Sequence, residues 1–235
     1  MLIVRVIWPR VSLWNKVMNK KFKAIIFDMD GVLIDSEMHW VKSEADFLKK
    51  YNIEITPEMA VLFTGRSDLQ NVAYMKEKFN LPGEVADLMA ERRSYTDRLY
   101  RDYIRPLPLV EVLLAKLKPK YSQAVASGAR HDLISLVVDK FNWRHYFRAL
   151  VSSDDVKFVG KPDPGIYLHT ADRLKVSPED CLVFEDAQNG VVAAKRAGMT
   201  CVALINQPWT KGDLSQADLH IESFGDERIN KLLKI

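Results

Sequence analysis

Four short segments of the chain carry side chains suited to chemistry, and each stands at or just past the end of an apolar run or ahead of a helix start. In the first, Asp28 and Asp30 follow Lys23-Ala-Ile-Ile-Phe27, separated by one residue and followed by Gly31. Two carboxylates emerging from a buried strand are costly unless something cationic neutralises them. Asp-x-Asp-Gly also suits a plain turn or a calcium loop, but a calcium loop needs a Glu at its twelfth position, which is His39 here. The second segment, Ala126-Ser127-Gly128, offers a small hydroxyl in a tight turn that can donate to a phosphate oxygen or serve the turn alone. The third, Gly160-Lys161-Pro-Asp-Pro164, fixes a cation ahead of a helix start, where a solvated lysine is the ordinary alternative. The fourth, Phe184-Glu185-Asp186, places two more carboxylates before Gln-Asn-Gly190, where solvated turn acids are the alternative.

The elements around these segments bring them together. Lys23–Phe27 is a compact, branched apolar run and predicts a buried parallel strand. Met38, Val41, Ala45 and Leu48 recur at helical spacing, predicting a helix over 36–50. Further helices are predicted at 57–63, 67–79 and 84–103, and no strand between 36 and 106. From 109 the chain alternates: helix 109–118, strand 123–126, helix 131–141, strand 147–151, helix 163–174, strand 181–184, helix 188–197, strand 201–204, strand 218–221 and helix 226–234. Strands alternating with helices imply a doubly wound, Rossmann-like α/β parallel sheet covered on both faces. Ligands in such folds collect beyond the carboxyl ends of the strands, which is where the four segments converge. The expected organisation is an extension at 1–20, a catalytic core at 21–35 and 107–235, and an inserted all-helical cap at 36–106.

Bulk properties narrow the function classes. With 48% hydrophobic and 28% charged residues the chain has the profile of a globular protein. No run reaches the roughly 18–20 apolar residues that span a bilayer, so no membrane partner is expected. Residues 1–20 carry Arg5, Arg10, Lys16 and Lys20 and no acid; taking this +4 from the chain's +3 leaves −1 for the rest. The body therefore lacks the basic stripe that nucleic-acid binding requires. The opening segment has an apolar run interrupted by Pro9 and lacks the order of a signal peptide, which points to a loosely docked extension. Cys181 and Cys201 have no metal-ligand or Cys-x-x-Cys spacing and read as buried free thiols of a reducing, cytoplasmic compartment.

Taken together, Phe27-Asp-Met-Asp-Gly-Val-Leu-Ile-Asp-Ser-Glu37, Ala126-Ser-Gly128, Gly160-Lys-Pro-Asp-Pro164 and Phe184-Glu-Asp-Ala-Gln-Asn-Gly190 resemble the motifs of the haloacid dehalogenase superfamily. The resemblance spans about residues 22–222, and the helical insert is similar to the cap of the β-phosphoglucomutase-like and pseudouridine-5′-phosphatase-like subgroup. It implies a Mg²⁺-dependent phosphatase acting on a small phosphorylated metabolite, a sugar phosphate or nucleoside monophosphate, through an aspartyl-phosphate. A phosphomutase is the alternative, and a non-catalytic phosphate-binding protein a remote one. The implied ligands of Mg²⁺ are Asp28, Asp186, the backbone carbonyl of Asp30, and Glu185 directly or through water. Asp28 is the implied nucleophile and Asp30 the acid–base group, with Lys161, Ser127 and the Gly128 backbone holding the transferring oxygens. Arg66, in Thr64-Gly-Arg-Ser67, and His39 are implied substrate contacts from the cap, and Trp40 a residue of the cap interface. The hinges are expected near Ser36 and Arg105-Pro106, and the oligomeric state is expected to be monomer or weak dimer.

Four departures from the family pattern stand out. Leu109 occupies a position where Gly is frequent after Arg-Pro-Leu-Pro, implying a stiffer hinge. Ser153 stands where Gly is common, and Asp155–Gly160 is one residue longer than usual. The His expected of a mutase is displaced: Trp40 occupies its slot and His39 precedes it, which weakens the phosphomutase alternative.

Overall fold

A computed structural model describes residues 17–56, 59, 68–157, 160–205 and 212–235. Six parallel strands form one sheet in the order β3-β2-β1-β4-β5-β6. They are β1 (Ala24–Phe27), β2 (Ser122–Ser127), β3 (Ala149–Ser152), β4 (Cys181–Glu185), β5 (Thr200–Leu204) and β6 (Leu219–Ile221). The order reverses at β1, which pairs with β2 on one side and β4 on the other, with Phe27 opposite both Val125 and Phe184. That reversal opens a crevice at the carboxyl ends of the three strands.

Alternation along the strands divides the core. Ile25, Phe27, Val125, Leu182, Phe184 and Val202 face one layer, which is closed by helices α4 (Val110–Leu117), α5 (His131–Lys140) and α8 (Glu227–Leu233). Phe27 and Phe184 stack there at 5.2 Å. Ala24, Ile26, Ala124, Ala126, Val183 and Ala203 face the opposite layer, closed by α6 (Gly165–Leu174) and α7 (Gln188–Arg196). The small alanines let α6 lie close against β2 and β3. Cys181 and Cys201 sit in this second layer, buried and unbridged, and burial pushes the Cys181 thiol up to about 12.

The described residues between β1 and α4 include three helices, α1 (Glu37–Lys49), α2 (Asp68–Phe79) and α3 (Val85–Arg98). These helices share a core of their own, built on Phe47, Leu48, Val72, Met75, Leu81 and Leu88. The insert leaves and rejoins the sheet through two adjacent segments. Ile34 bridges Pro106, Asp35 N–H donates to the Arg105 carbonyl (2.9 Å), and Leu107 N–H to the Leu33 carbonyl (3.0 Å).

The sequence-based boundaries differ from the structure in a few places. The helix predicted at 84–103 breaks into α3 and a five-residue π-helical turn, Leu99–Tyr103, which rotates Tyr100 into the interior. The strand predicted at 147–151 starts at Ala149, because Arg144–Tyr146 forms a 3₁₀ turn and Phe147 packs edge-on against Phe27 at 6.3 Å. The helix predicted at 57–63 lies, apart from Met59, outside the described residues, as do residues 1–16 of the extension. Its last residues are docked: Val17 is buried in the first layer, and Lys20 Nζ donates to Thr200 Oγ1 at 3.0 Å. No described helix is long and apolar enough to cross a membrane.

Leu109 holds the departure that matters mechanically. It adopts φ +67° at the N-cap of α4, a left-handed conformation that a Cβ disfavours. Its side chain is half exposed and lies over Gly225, so little burial offsets the strain. Leu109→Gly should therefore raise unfolding free energy by about 1 kcal/mol in urea titration. A loss of stability would show that the contact over Gly225 outweighs the backbone strain.

Candidate active site

Asp28 follows β1, Glu185 ends β4 and Asp186 follows it; ligand oxygens of the three lie within 4.8 Å of one another. All three side chains are buried. Lys161 enters from the loop before α6 and places its ammonium between two of them, 2.5 Å from Asp28 Oδ1 and 2.6 Å from Glu185 Oε1. It also donates to the Ala126 carbonyl at 3.2 Å and lies 5.0 Å from the centre of the Tyr167 ring.

Glu185 is almost fully satisfied by protein. Its Oε1 accepts from the Tyr167 hydroxyl at 2.5 Å as well as from Lys161. Its Oε2 accepts the backbone N–H groups of Asp186 (3.1 Å) and Ala187 (3.3 Å). Burial, and then the negative charge of Glu185, push the Tyr167 phenol well above its ordinary range, so it stays a donor.

Two glycines make room for the carboxylates. A Cβ on Gly31, which has φ +77°, would collide with the Asp186 carboxylate. A Cβ on Gly190, in the first turn of α7, would collide with the Glu185 carboxyl. The Asp-Gly and Gln-Asn-Gly spacings are thus clearances for charged groups as well as turns.

Three carboxylates and one ammonium share the cluster, with Lys161 paired to Asp28 and Glu185. Burial pushes the Asp28 carboxyl up; Lys161 opposes this, and Glu185 and Asp30 add to it. Burial works against the charge on Lys161, but Asp28 and Glu185 more than reverse it and hold the ammonium above its ordinary range. A buried cluster of three hard carboxylate donors fits a divalent cation of the Mg²⁺ type.

Asp30 stands apart from this trio. Its Oδ1 accepts from Ser36 Oγ and from the Tyr100 hydroxyl, both at 2.6 Å. Ser127 ends β2; its Oγ accepts the Ala129 N–H at 3.1 Å, a bond that leaves its own proton for another acceptor. The turn after it is tied to β3: Ser153 Oγ donates to the Gly128 carbonyl (2.9 Å) and Ser152 Oγ to the Ala129 carbonyl (2.6 Å). Ser153, a departure from the family pattern, thus braces the turn.

The cap residues named from the sequence are placed less uniformly. Arg66 lies outside the described residues, as do Phe158 and Val159 in the run before Lys161. His39 packs on the Tyr103 ring at 5.8 Å, in a depression shared with Lys42, Asp46 and Arg98, and is not a member of the acidic cluster. Trp40 packs edge-on against Tyr100 at 5.8 Å. Ser36, Tyr100 and Tyr167 were not foreseen as site residues. Tyr100 is 70 positions from Asp30, and Tyr167 is 18 from Glu185, so no local spacing marks either.

Carboxylates at the switch point of a doubly wound sheet, with a lysine between them and a helical insert after the first strand, define a class of phosphoryl-handling hydrolases. The chain belongs to the haloacid dehalogenase-like hydrolase family, whose model matches residues 25–204. It is 30% identical over 185 residues to the fructose-1-phosphate phosphatase YqaB of Escherichia coli K12, covering 79% of this chain and 97% of that protein. It is 32% identical over 222 residues to a Drosophila melanogaster protein described as a probable pseudouridine-5′-phosphatase, covering 90% and 94%. In fold it is similar to CbbY of Rhodobacter sphaeroides, solved with phosphate, with a TM-score of 0.76 at 23% identity over 88% of this chain and 96% of that one.

The Tyr167 bond to a buried carboxylate should be costly to remove. Tyr167→Phe is expected to lower unfolding free energy by about 2 kcal/mol, the range for hydrogen bonds to charged groups. Urea titration checks this, and an unchanged midpoint would mean that Lys161 and the two backbone N–H groups suffice for Glu185.

Proposed function

We propose that the chain is a Mg²⁺-dependent phosphatase that hydrolyses a small phosphorylated metabolite, a sugar phosphate or nucleoside monophosphate, through an aspartyl-phosphate on Asp28. The observation that carries this reading is the buried Asp28–Glu185–Asp186 cluster with Lys161 between two of its members. The substrate class is supported by the relatives, described as a fructose-1-phosphate phosphatase and a probable pseudouridine-5′-phosphatase.

Mg²⁺ would be held by Asp28, Asp186, the Asp30 carbonyl and Glu185, the last directly or through water, and when bound it offsets the charge of the phosphate dianion. Asp28 supplies the attacking oxygen. Its bond to phosphorus forms as the ester P–O bond breaks, and the departing oxygen takes a proton from Asp30. In the second displacement Asp30 takes a proton from water, the water oxygen bonds to phosphorus, and Asp28 leaves as a carboxylate. Lys161, the Ser127 hydroxyl and the Gly128 N–H hold the non-bridging oxygens as charge builds. Arg66 and His39 contact the remainder of the substrate from the insert at 36–106. That insert acts as a cap hinged near Ser36 and Arg105-Pro106 and excludes bulk water when closed.

Two experiments follow. A panel of sugar phosphates and nucleotides should give Mg²⁺-dependent phosphate release that Asp28→Asn lowers by about 10³-fold or more. Release unaffected by that substitution would remove Asp28 from the chemistry, and transfer to a sugar hydroxyl in place of water would make the enzyme a mutase. Independently of activity, Mg²⁺ at about 100 times its Kd should raise unfolding free energy by ~2.7 kcal/mol, and Asp186→Asn should abolish the increment. An undiminished increment in Asp186→Asn would place the metal elsewhere.

A further inference from the structure

Asp30 is held by two hydroxyls, and they come from the two arms of the helical insert. Ser36 precedes α1 on the outgoing arm, and Tyr100 lies in the π-helical turn of the returning arm. Both O–H groups donate to the same oxygen, Oδ1, at the same distance of 2.6 Å. An oxygen that accepts two short hydrogen bonds is poorly placed to carry a proton of its own. A proton on this carboxyl therefore sits on Oδ2, and the pair of donors fixes the direction in which Oδ2 points.

Tyr100 is itself clamped from two sides. Its ring is fully buried, with Trp40 edge-on against it. The Arg92 guanidinium lies 5.6 Å from the Trp40 ring centre and is paired with Glu44, both side chains nearly inaccessible. On the backbone side, Lys140 Nζ at the end of α5 donates to the carbonyls of Tyr100 (3.3 Å), Arg101 (2.8 Å) and Ile104 (3.4 Å). An α-helical continuation of α3 would change the direction of the Tyr100 side chain, since a π turn inserts one residue into the ladder. The π turn, the aromatic contact and the lysine together aim one phenol at one carboxylate oxygen.

We propose that Tyr100 is a positioning residue for proton transfer: with Ser36 it immobilises Oδ1 of Asp30 so that Oδ2 faces the leaving group. This rests on the reading of Asp30 as the acid–base group. As the ester P–O bond breaks, the proton passes from Oδ2 to the departing oxygen. The requirement is thus greatest for a poor leaving group and vanishes for one that departs as a stable anion.

The test compares Tyr100→Phe with wild type on a sugar phosphate, whose alkoxide must be protonated, and on 2,4-dinitrophenyl phosphate, whose phenolate need not be. The expected result is a loss of about 10- to 100-fold in kcat/KM on the sugar phosphate and a change within about threefold on the aryl ester. Ser36→Ala, which removes the other donor, should show the same signature and serves if Tyr100→Phe does not fold. Tyr121→Phe, which removes a hydroxyl bonded to the Leu233 carbonyl away from the site, should leave the ratio of the two substrates unchanged. Equal losses on both substrates, or none on either, in an active enzyme would overturn the inference and leave the phosphatase reading standing. Wild-type protein that releases phosphate from neither ester would overturn that reading and this inference with it.

Discussion

Everything in the crevice depends on how three buried carboxylates are kept together. At an effective dielectric of about 20, a contact near 2.5 Å between unit charges is worth roughly 7 kcal/mol. The desolvation penalty is several kcal/mol for each ion, so the two Lys161 contacts offset burial without leaving a large surplus. Lys161 pairs with Asp28 and Glu185, and the three carboxylates together form a set of hard oxygen donors that fits a divalent cation.

The fold meets that constraint by geometry. A parallel sheet with its order reversing at β1 brings the ends of β1, β2 and β4 side by side, so Asp28, Ser127 and Glu185 arrive from neighbouring strands. Gly31 and Gly190 remove the side chains that would occupy the carboxylate positions. Tyr167 and the N–H groups after β4 absorb the lone pairs of Glu185 that Lys161 does not reach. The helical insert, with a separate apolar core, adds its own polar contact to the site through Tyr100.

Much of this was legible in the sequence because its signals are local. Lys23–Phe27, Gln123–Ala126 and Cys181–Phe184 are short apolar runs ending in polar residues, and each became a strand with those residues at its carboxyl end. The acids and Lys161 converge as the topology of alternating strands and helices requires. What was not legible depends on distant partners or on backbone detail. A tyrosine in a continuous helical pattern gives no sign that a π turn will rotate it toward Asp30. Nor does the sequence reveal that Ser153 will brace the Gly128 carbonyl, or that Leu109 will hold a left-handed conformation in a glycine-like position. Phe147 extended the apparent strand because an aromatic that packs over a sheet edge has the same local signature as one within it.

The most direct test of the account is to quench the enzyme with acid during turnover of a phosphate ester and weigh the peptide that contains Asp28. A covalent phosphoenzyme adds the mass of one phosphoryl group to Asp28, removed by hydroxylamine and missing from Asp28→Asn. Steady turnover with no such adduct at any quench time, and with a common product ratio to water and alcohol acceptors also lacking across leaving groups, would contradict a covalent intermediate. In that case the buried carboxylates would serve the metal alone.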